Sequence, residues 1–64
     1  MDKKAIEVRI QYYIDTGSHR SVVLQDLCAE GVSEQMAKFV LGQLIVSGQV
    51  LIEEDGWLKW NYPR

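Results

Sequence analysis

The chain has 64 residues, a formal net charge of −2 and 47% hydrophobic residues. This length predicts one small domain over residues 1–64, and the apolar fraction excludes an intrinsically disordered chain. The slightly acidic balance excludes a polybasic nucleic-acid binder, so any such binding depends on a local patch.

Residues 2–15 have the periodicity of a first helix, and Asp2 suits its first turn because of its charge. Gly17, within residues 16–18, is the expected residue after the helix end. Two apolar stripes lie on nearly opposite sides of this helix. The stronger stripe is Ile6, Ile10, Tyr13 and Ile14, and the weaker one is Ala5, Val8 and Tyr12.

Residues 19–22 are expected to form a short extended or turn segment before a second helix. Ser21 is a candidate cap for that helix, which is expected to reach about Glu30 and to stop at Gly31. Its inward side chains are expected to be Val23, Leu24, Leu27 and Cys28.

Residues 33–47 form the clearest helical pattern in the chain, with Ser33 as the N-terminal cap and Gly48 closing the C-terminus. Helical spacing predicts one broad apolar face made of Met36, Ala37, Val40, Leu41 and Leu44. The opposite face carries Gln35, Lys38 and Gly42, but also the apolar Phe39 and Val46.

Beyond Gly48 the pattern alternates, which predicts strands over residues 49–53 and 57–62. Asp55-Gly56 is a strong hairpin turn signal. The simplest register puts Leu51 on one face with Leu58, Trp60 and Tyr62, and puts Val50 and Ile52 on the other face with Trp57 and Lys59. We expect Trp60 to complete the core, whereas Trp57 is open to either a core or a binding role.

This order of elements resembles the winged helix-turn-helix domain, over nearly the whole chain. The resemblance is carried by residues 24–33 for the turn, 40–50 for the third helix running into the hairpin, and 53–57 for the wing tip. It implies a mainly α, α+β fold: three helices followed by a two-stranded antiparallel β-hairpin wing. Members are mostly bacterial, archaeal and phage transcription regulators, and a substantial minority bind proteins.

The resemblance implies that the third helix and the wing contact a partner. For duplex DNA, the candidate contacts are Gln35, Lys38 and Phe39 on the third helix, with Arg20 and Lys4. The wing tip departs from the DNA-binding pattern because Glu53, Glu54 and Asp55 would repel phosphates. In this respect it is similar to the C-terminal winged helix of the middle subunit of replication protein A, which binds proteins.

For a protein partner, the candidate contacts are Val8 and Tyr12 on the first helix, Phe39 on the third, and Trp57. A homodimer through the first helix is one expectation, since the resemblance suggests it and the spacing of Val8 and Tyr12 permits it. Each of these charged and apolar residues also has a simpler interpretation, as solvated surface or as part of a small core.

Catalysis, metal binding and cofactor binding are not expected. His19 and Cys28 are too few for a zinc site, and Cys28 lacks an evident base. The single cysteine and the lack of a signal peptide or membrane span predict a cytoplasmic protein, or a nuclear one in a eukaryote. Two hypotheses remain: a small DNA-binding transcription regulator, or alternatively a protein-interaction domain, with no small-molecule substrate in either case.

Overall fold

The computed structural model describes residues 2–15 and 17–62. Within them the chain forms three helices and one three-stranded antiparallel sheet, a mainly helical α+β fold. In chain order the elements are α1 (Lys3–Asp15), β1 (Ser18–His19), α2 (Arg20–Ala29), α3 (Glu34–Val46), β2 (Val50–Ile52) and β3 (Trp57–Trp60).

The helix ends follow local capping chemistry. Asp2 lies just before α1, and its Oδ1 accepts a hydrogen bond of 2.8 Å from the backbone N–H of Ala5. Ser33 caps α3 as expected, since its Oγ accepts from the N–H of Met36. Gly17 and Gly48 adopt positive φ angles of 77° and 85° after α1 and α3. Thr16, part of the predicted end of α1, lies outside the described residues.

The prediction that Ser21 caps α2 is wrong. The cap is His19, whose ring Nδ1 accepts a hydrogen bond from the backbone N–H of Ser21. The helix therefore begins at Arg20, and the extended segment is Ser18–His19 instead of the predicted residues 19–22. That segment forms β1, which pairs with β3, so the sheet has three strands in the order β1-β3-β2 instead of the two expected.

The predicted faces of the hairpin are also wrong, because the turn is one residue longer than an Asp-Gly pair. Val50 lies opposite Trp60 and Ile52 opposite Leu58, which leaves a three-residue loop over 54–56. Gly56, with φ 93°, closes this loop as the left-handed residue such hairpins need. Adding one residue moves every side chain of one strand to the other face. Val50 and Leu58 therefore share the buried face, with the half-buried Trp60 packed against the core.

The core lies between the helices and the sheet. All three helices and the inner faces of β2 and β3 contribute, and α1 packs on α2, α3 and β3. The buried side chains are Ile6, Ile10, Ile14, Val23, Leu24, Leu27, Val32, Ala37, Val40, Leu41, Leu44, Val50 and Leu58. These include the stronger stripe of α1 and the predicted inward faces of α2 and α3, with three exceptions. Tyr13 on α1 is only half-buried, and Met36, near the start of α3, and Cys28, near the end of α2, are exposed.

Leu44→Ala is expected to lower the free energy of unfolding by about 2–5 kcal/mol, because it empties space among fully packed neighbours. Val46→Ala on the same helix is the matched control. Val46 is 89% exposed, so its truncation should change stability by less than about 0.5 kcal/mol. Urea denaturation measures both, and equal midpoints would contradict the assigned face of α3.

Gly56→Ala is expected to destabilise the fold by about 1–3 kcal/mol, because a side chain is strained at this positive φ. A Cβ there would also lie 2.5 Å from Nε2 of His19. Gly42→Ala is the control: Gly42 lies within α3 and its Cβ would meet no atom within 4 Å. That change should stabilise the helix by about 1 kcal/mol. Thermal denaturation of both variants should give shifts of opposite sign.

Candidate binding surface on helix α3

The outward face of α3 is exposed because the opposite face is buried in the core. Gln35, Lys38 and Phe39 are exposed on it, as predicted, and Gly42 is half-buried. Phe39 is 56% exposed and Val46 is 89% exposed, so neither the hairpin nor α1 covers them. A helix that only faced water would not need these two apolar side chains.

A groove of about 660 Å³ runs beside this face, between α3 and the N-terminal part of α1. We call it the α1–α3 groove. Its apolar lining comes mainly from Phe39, Gly42 and Val46, and its polar rim includes Lys3, Glu7 and Lys38. The other lining residues are Gln43, Leu44, Ser47 and Gln49. The groove therefore brings apolar side chains and charged side chains of both signs together on one surface.

Lys38 is already engaged within its own helix. Its Nζ lies 2.9 Å from Oε1 of Glu34, an ion pair at i,i+4 spacing. The hydrogen bond from Lys38, together with its positive charge, lowers the pKa of Glu34 below its ordinary value. Both side chains are largely exposed, so the pair stabilises the helix only slightly, but it offsets the one positive charge on this face of α3.

Lys3 differs from Lys38 because no carboxylate of the described residues lies within ion-pair distance of it. It contributes to the groove rim from the first turn of α1, where Glu7 also lines the groove. The sequence held no signal that Lys3 and Phe39 would lie at one groove. Their juxtaposition follows from the packing of α1 on α3.

The remaining DNA-contact candidates do not join this groove. Lys4 is exposed on α1, one residue beyond Lys3, and does not line the groove. Arg20 begins α2, and its backbone N–H donates a 2.8 Å hydrogen bond to the carbonyl of Gly56. The backbone of Arg20 is thus tied to the hairpin turn, which carries Glu53, Glu54 and Asp55.

These three exposed carboxylates form what we call the acidic turn. No ion pair joins any of them to a cation among residues 2–15 and 17–62. His19 holds the turn in place, because its Nδ1 accepts from the Ser21 N–H while its Nε2 lies 2.7 Å from the carbonyl of Asp55. No motif in the sequence indicated this role for His19.

The protein-interface candidates lie in three separate places. Phe39 lines the α1–α3 groove. Val8 and Tyr12, which are 58% and 63% exposed, form a patch on α1 outside the groove, and the homodimer expected there stays a prediction. Trp57 is exposed on β3, with its ring in an edge contact, 5.8 Å between centroids, with the ring of His19.

Two tyrosines anchor other parts of the surface. Tyr13 donates a hydrogen bond of 3.0 Å to Glu30, which also pairs with Arg9 at 3.4 Å. Burial and the hydrogen bond to Glu30 raise the pKa of Tyr13. Tyr62 donates to Asp15, and this bond raises the pKa of Tyr62. These contacts tie α1 to α2 and to the residues that follow β3, so they serve the fold and not the groove.

Among the described residues, no group of three or more His, Cys, Asp or Glu side chains is arranged to hold a metal ion. No helix in that part of the chain combines the length and apolar character needed to cross a membrane. Comparisons with known proteins found no matching family model, no matching curated protein and no matching solved structure.

Proposed function

We propose that this chain is a winged helix-turn-helix domain that serves as a non-catalytic protein-binding module, with the α1–α3 groove as its docking surface. The order of elements supports the winged-helix assignment. A short link of residues 30–33 joins α2 to α3, and a hairpin follows α3 directly. In this fold β2 and β3 would form the wing, with β1 as a short third strand beside β3.

The exposure of Phe39 is the observation that carries the protein-binding proposal. An aromatic side chain more than half exposed beside an apolar groove gains stabilisation when a partner covers it. Val46 and Gly42 extend the same apolar strip along α3. Contiguous apolar surface framed by polar residues is typical of protein-interaction sites.

The distribution of charge supports the same proposal. The ion pair with Glu34 offsets Lys38, and the acidic turn carries three carboxylates without an ion-pair partner in the described structure. A DNA backbone would be repelled by that turn and would find few free cations on α3. A protein partner requires no such excess of positive charge.

Phe39→Glu is expected to abolish partner binding while leaving the fold intact, since residue 39 is exposed on a helix. The assay selects display-library peptides on the immobilised intact chain, then measures the enriched peptides against the variant by calorimetry. Val22→Glu is the matched control, because Val22 is also exposed on a helix but does not line the groove. Enriched peptides that bind Phe39→Glu and the parent equally would contradict the proposal.

Duplex DNA is the second candidate, favoured by the exposure of Gln35 and Lys38 on the outward face of a capped helix. A glutamine amide can pair with an adenine edge in the major groove, and a lysine can contact a phosphate. In this arrangement α3 would enter the major groove, as the recognition helix of a small transcription regulator does.

If the chain binds DNA, affinity for duplex should fall steeply between about 50 and 200 mM salt. Lys38→Glu should then weaken binding to all sequences, whereas Gln35→Ala should weaken it selectively. Lys59→Glu, on the exposed face of β3, is the control for a general change in charge. Fluorescence anisotropy with random and genomic duplexes tests this, and no binding at low salt would remove the DNA candidate.

A further inference from the structure

Gly42 lies within the 13-residue helix α3, where the chain's own packing gives no reason for a glycine. Its backbone is helical, and a Cβ built on it would meet no atom within 4 Å. A glycine inside a helix lowers stability relative to alanine, so its presence needs another reason. The absence of a side chain lets another backbone approach closely.

Gly42 is also placed where a partner can reach it. It lines the α1–α3 groove between Phe39, one helical turn before it, and Val46, one turn after it. These three residues follow helical spacing and span roughly 10 Å along the helix axis. The groove therefore has a bare stretch of backbone with an exposed apolar side chain at each end.

The chemistry of the α3 side of the groove favours a helix as its occupant over an added strand. An added strand needs unpaired backbone N–H and C=O groups, and the interior of α3 has none because its bonds are internal. A helix instead packs through side-chain ridges, and it comes closest where the facing residue is small. Lys3, which has no ion-pair partner among the described residues, adds a positive charge at the start of the α1 wall, and Glu7, one helical turn further along α1, adds a negative charge.

We infer that the α1–α3 groove binds an amphipathic helix of another protein, which crosses α3 at Gly42 and directs a carboxylate toward Lys3. The helix packs its apolar residues against Phe39 and Val46. This inference rests on the proposed protein-binding function and specifies its partner: a helical segment with an apolar stripe and an acidic flank.

The experiment selects two display libraries of peptides about 16 residues long, about four helical turns, on the intact chain. One library is built on a helix-forming alanine-rich frame, and the other is unconstrained. The expected result is enrichment in the helical library of apolar residues at i, i+3, i+4 and i+7 with Asp or Glu beside them. Binding is then measured by calorimetry, and circular dichroism reports helix formation by the unconstrained peptides.

Variants of Gly42 test the crossing point. Gly42→Leu should lower the affinity for the enriched peptides at least about 30-fold, the loss typical of a hot spot. The reason is that the leucine side chain would fill part of the groove. Gly42→Ala should weaken them less, although the protein itself becomes more thermostable. An equal affinity of the parent and Gly42→Leu would overturn the inference.

Variants of Lys3 test the proposed contact between its positive charge and a carboxylate of the partner. Lys3→Glu should lower the affinity for acidic peptides about 3- to 10-fold. The same variant should regain affinity for peptides in which the acidic residue is replaced by Lys. Lys4→Glu is the matched control, since it makes the same change in net charge one residue outside the groove. If Lys4→Glu loses the same amount of affinity, the peptides respond to net charge alone, and the proposed contact with Lys3 is overturned.

The outcomes separate this inference from the function on which it rests. If neither library yields a peptide that depends on Phe39, the proposed function fails. If Phe39-dependent peptides are basic or stay extended when bound, the protein-binding function holds and the helical, acidic partner is wrong. Self-association of the parent that Gly42→Leu abolishes would identify a second copy as the occupant and would also overturn the inference.

Discussion

The buried face of α3 is the constraint on which the rest of this structure depends. Ala37, Val40, Leu41 and Leu44 fill the space between α1, α2 and β2, so this one helix packs against both of the other helices and against the sheet. A small domain has few other apolar contacts to replace them. Because one face of α3 is committed to the core, the opposite face must point outward.

That geometry explains why an exposed apolar surface exists on α3. Phe39 and Val46 occupy the outward face of a helix that is fixed by its core and by the Ser33 cap. Their exposure is therefore not relieved by rotation of the helix, since any rotation would expose Val40 or Leu44. The α1 segment that packs against α3 supplies the second wall and brings Lys3 to the rim. The packing of α1 and α3 thus produces both the fold and the proposed docking surface.

A second, local constraint acts through His19. Its ring caps α2 through the Ser21 N–H and contacts the carbonyl of Asp55 in the hairpin turn. Gly56 leaves the space that the imidazole occupies, and its carbonyl accepts from the Arg20 N–H. One side chain therefore connects β1, α2 and the acidic turn. The carboxylates of that turn remain exposed to solvent while its backbone is held in place.

The sequence by itself determined those features that depend on neighbours a few residues away. Periodicity and caps placed three helices close to their observed bounds, predicted that Phe39 faces outward, and put Leu44 in the core. Helical faces and the Ser33 cap depend mainly on local spacing and residue type, so the sequence predicts most of them, although it did not identify His19 as the cap of α2. The Asp-Gly signal likewise located the hairpin, although it did not set the loop length.

Only the tertiary structure decided the features that join residues distant in the chain. The third strand forms because β1 meets β3, and His19 reaches Asp55 across 36 positions. Exposure of Met36 and Cys28 was not predictable from helical spacing, because the edge of an apolar face is buried only where another element covers it. For the same reason, Lys3 and Gly42 became parts of one groove only once α1 had packed on α3.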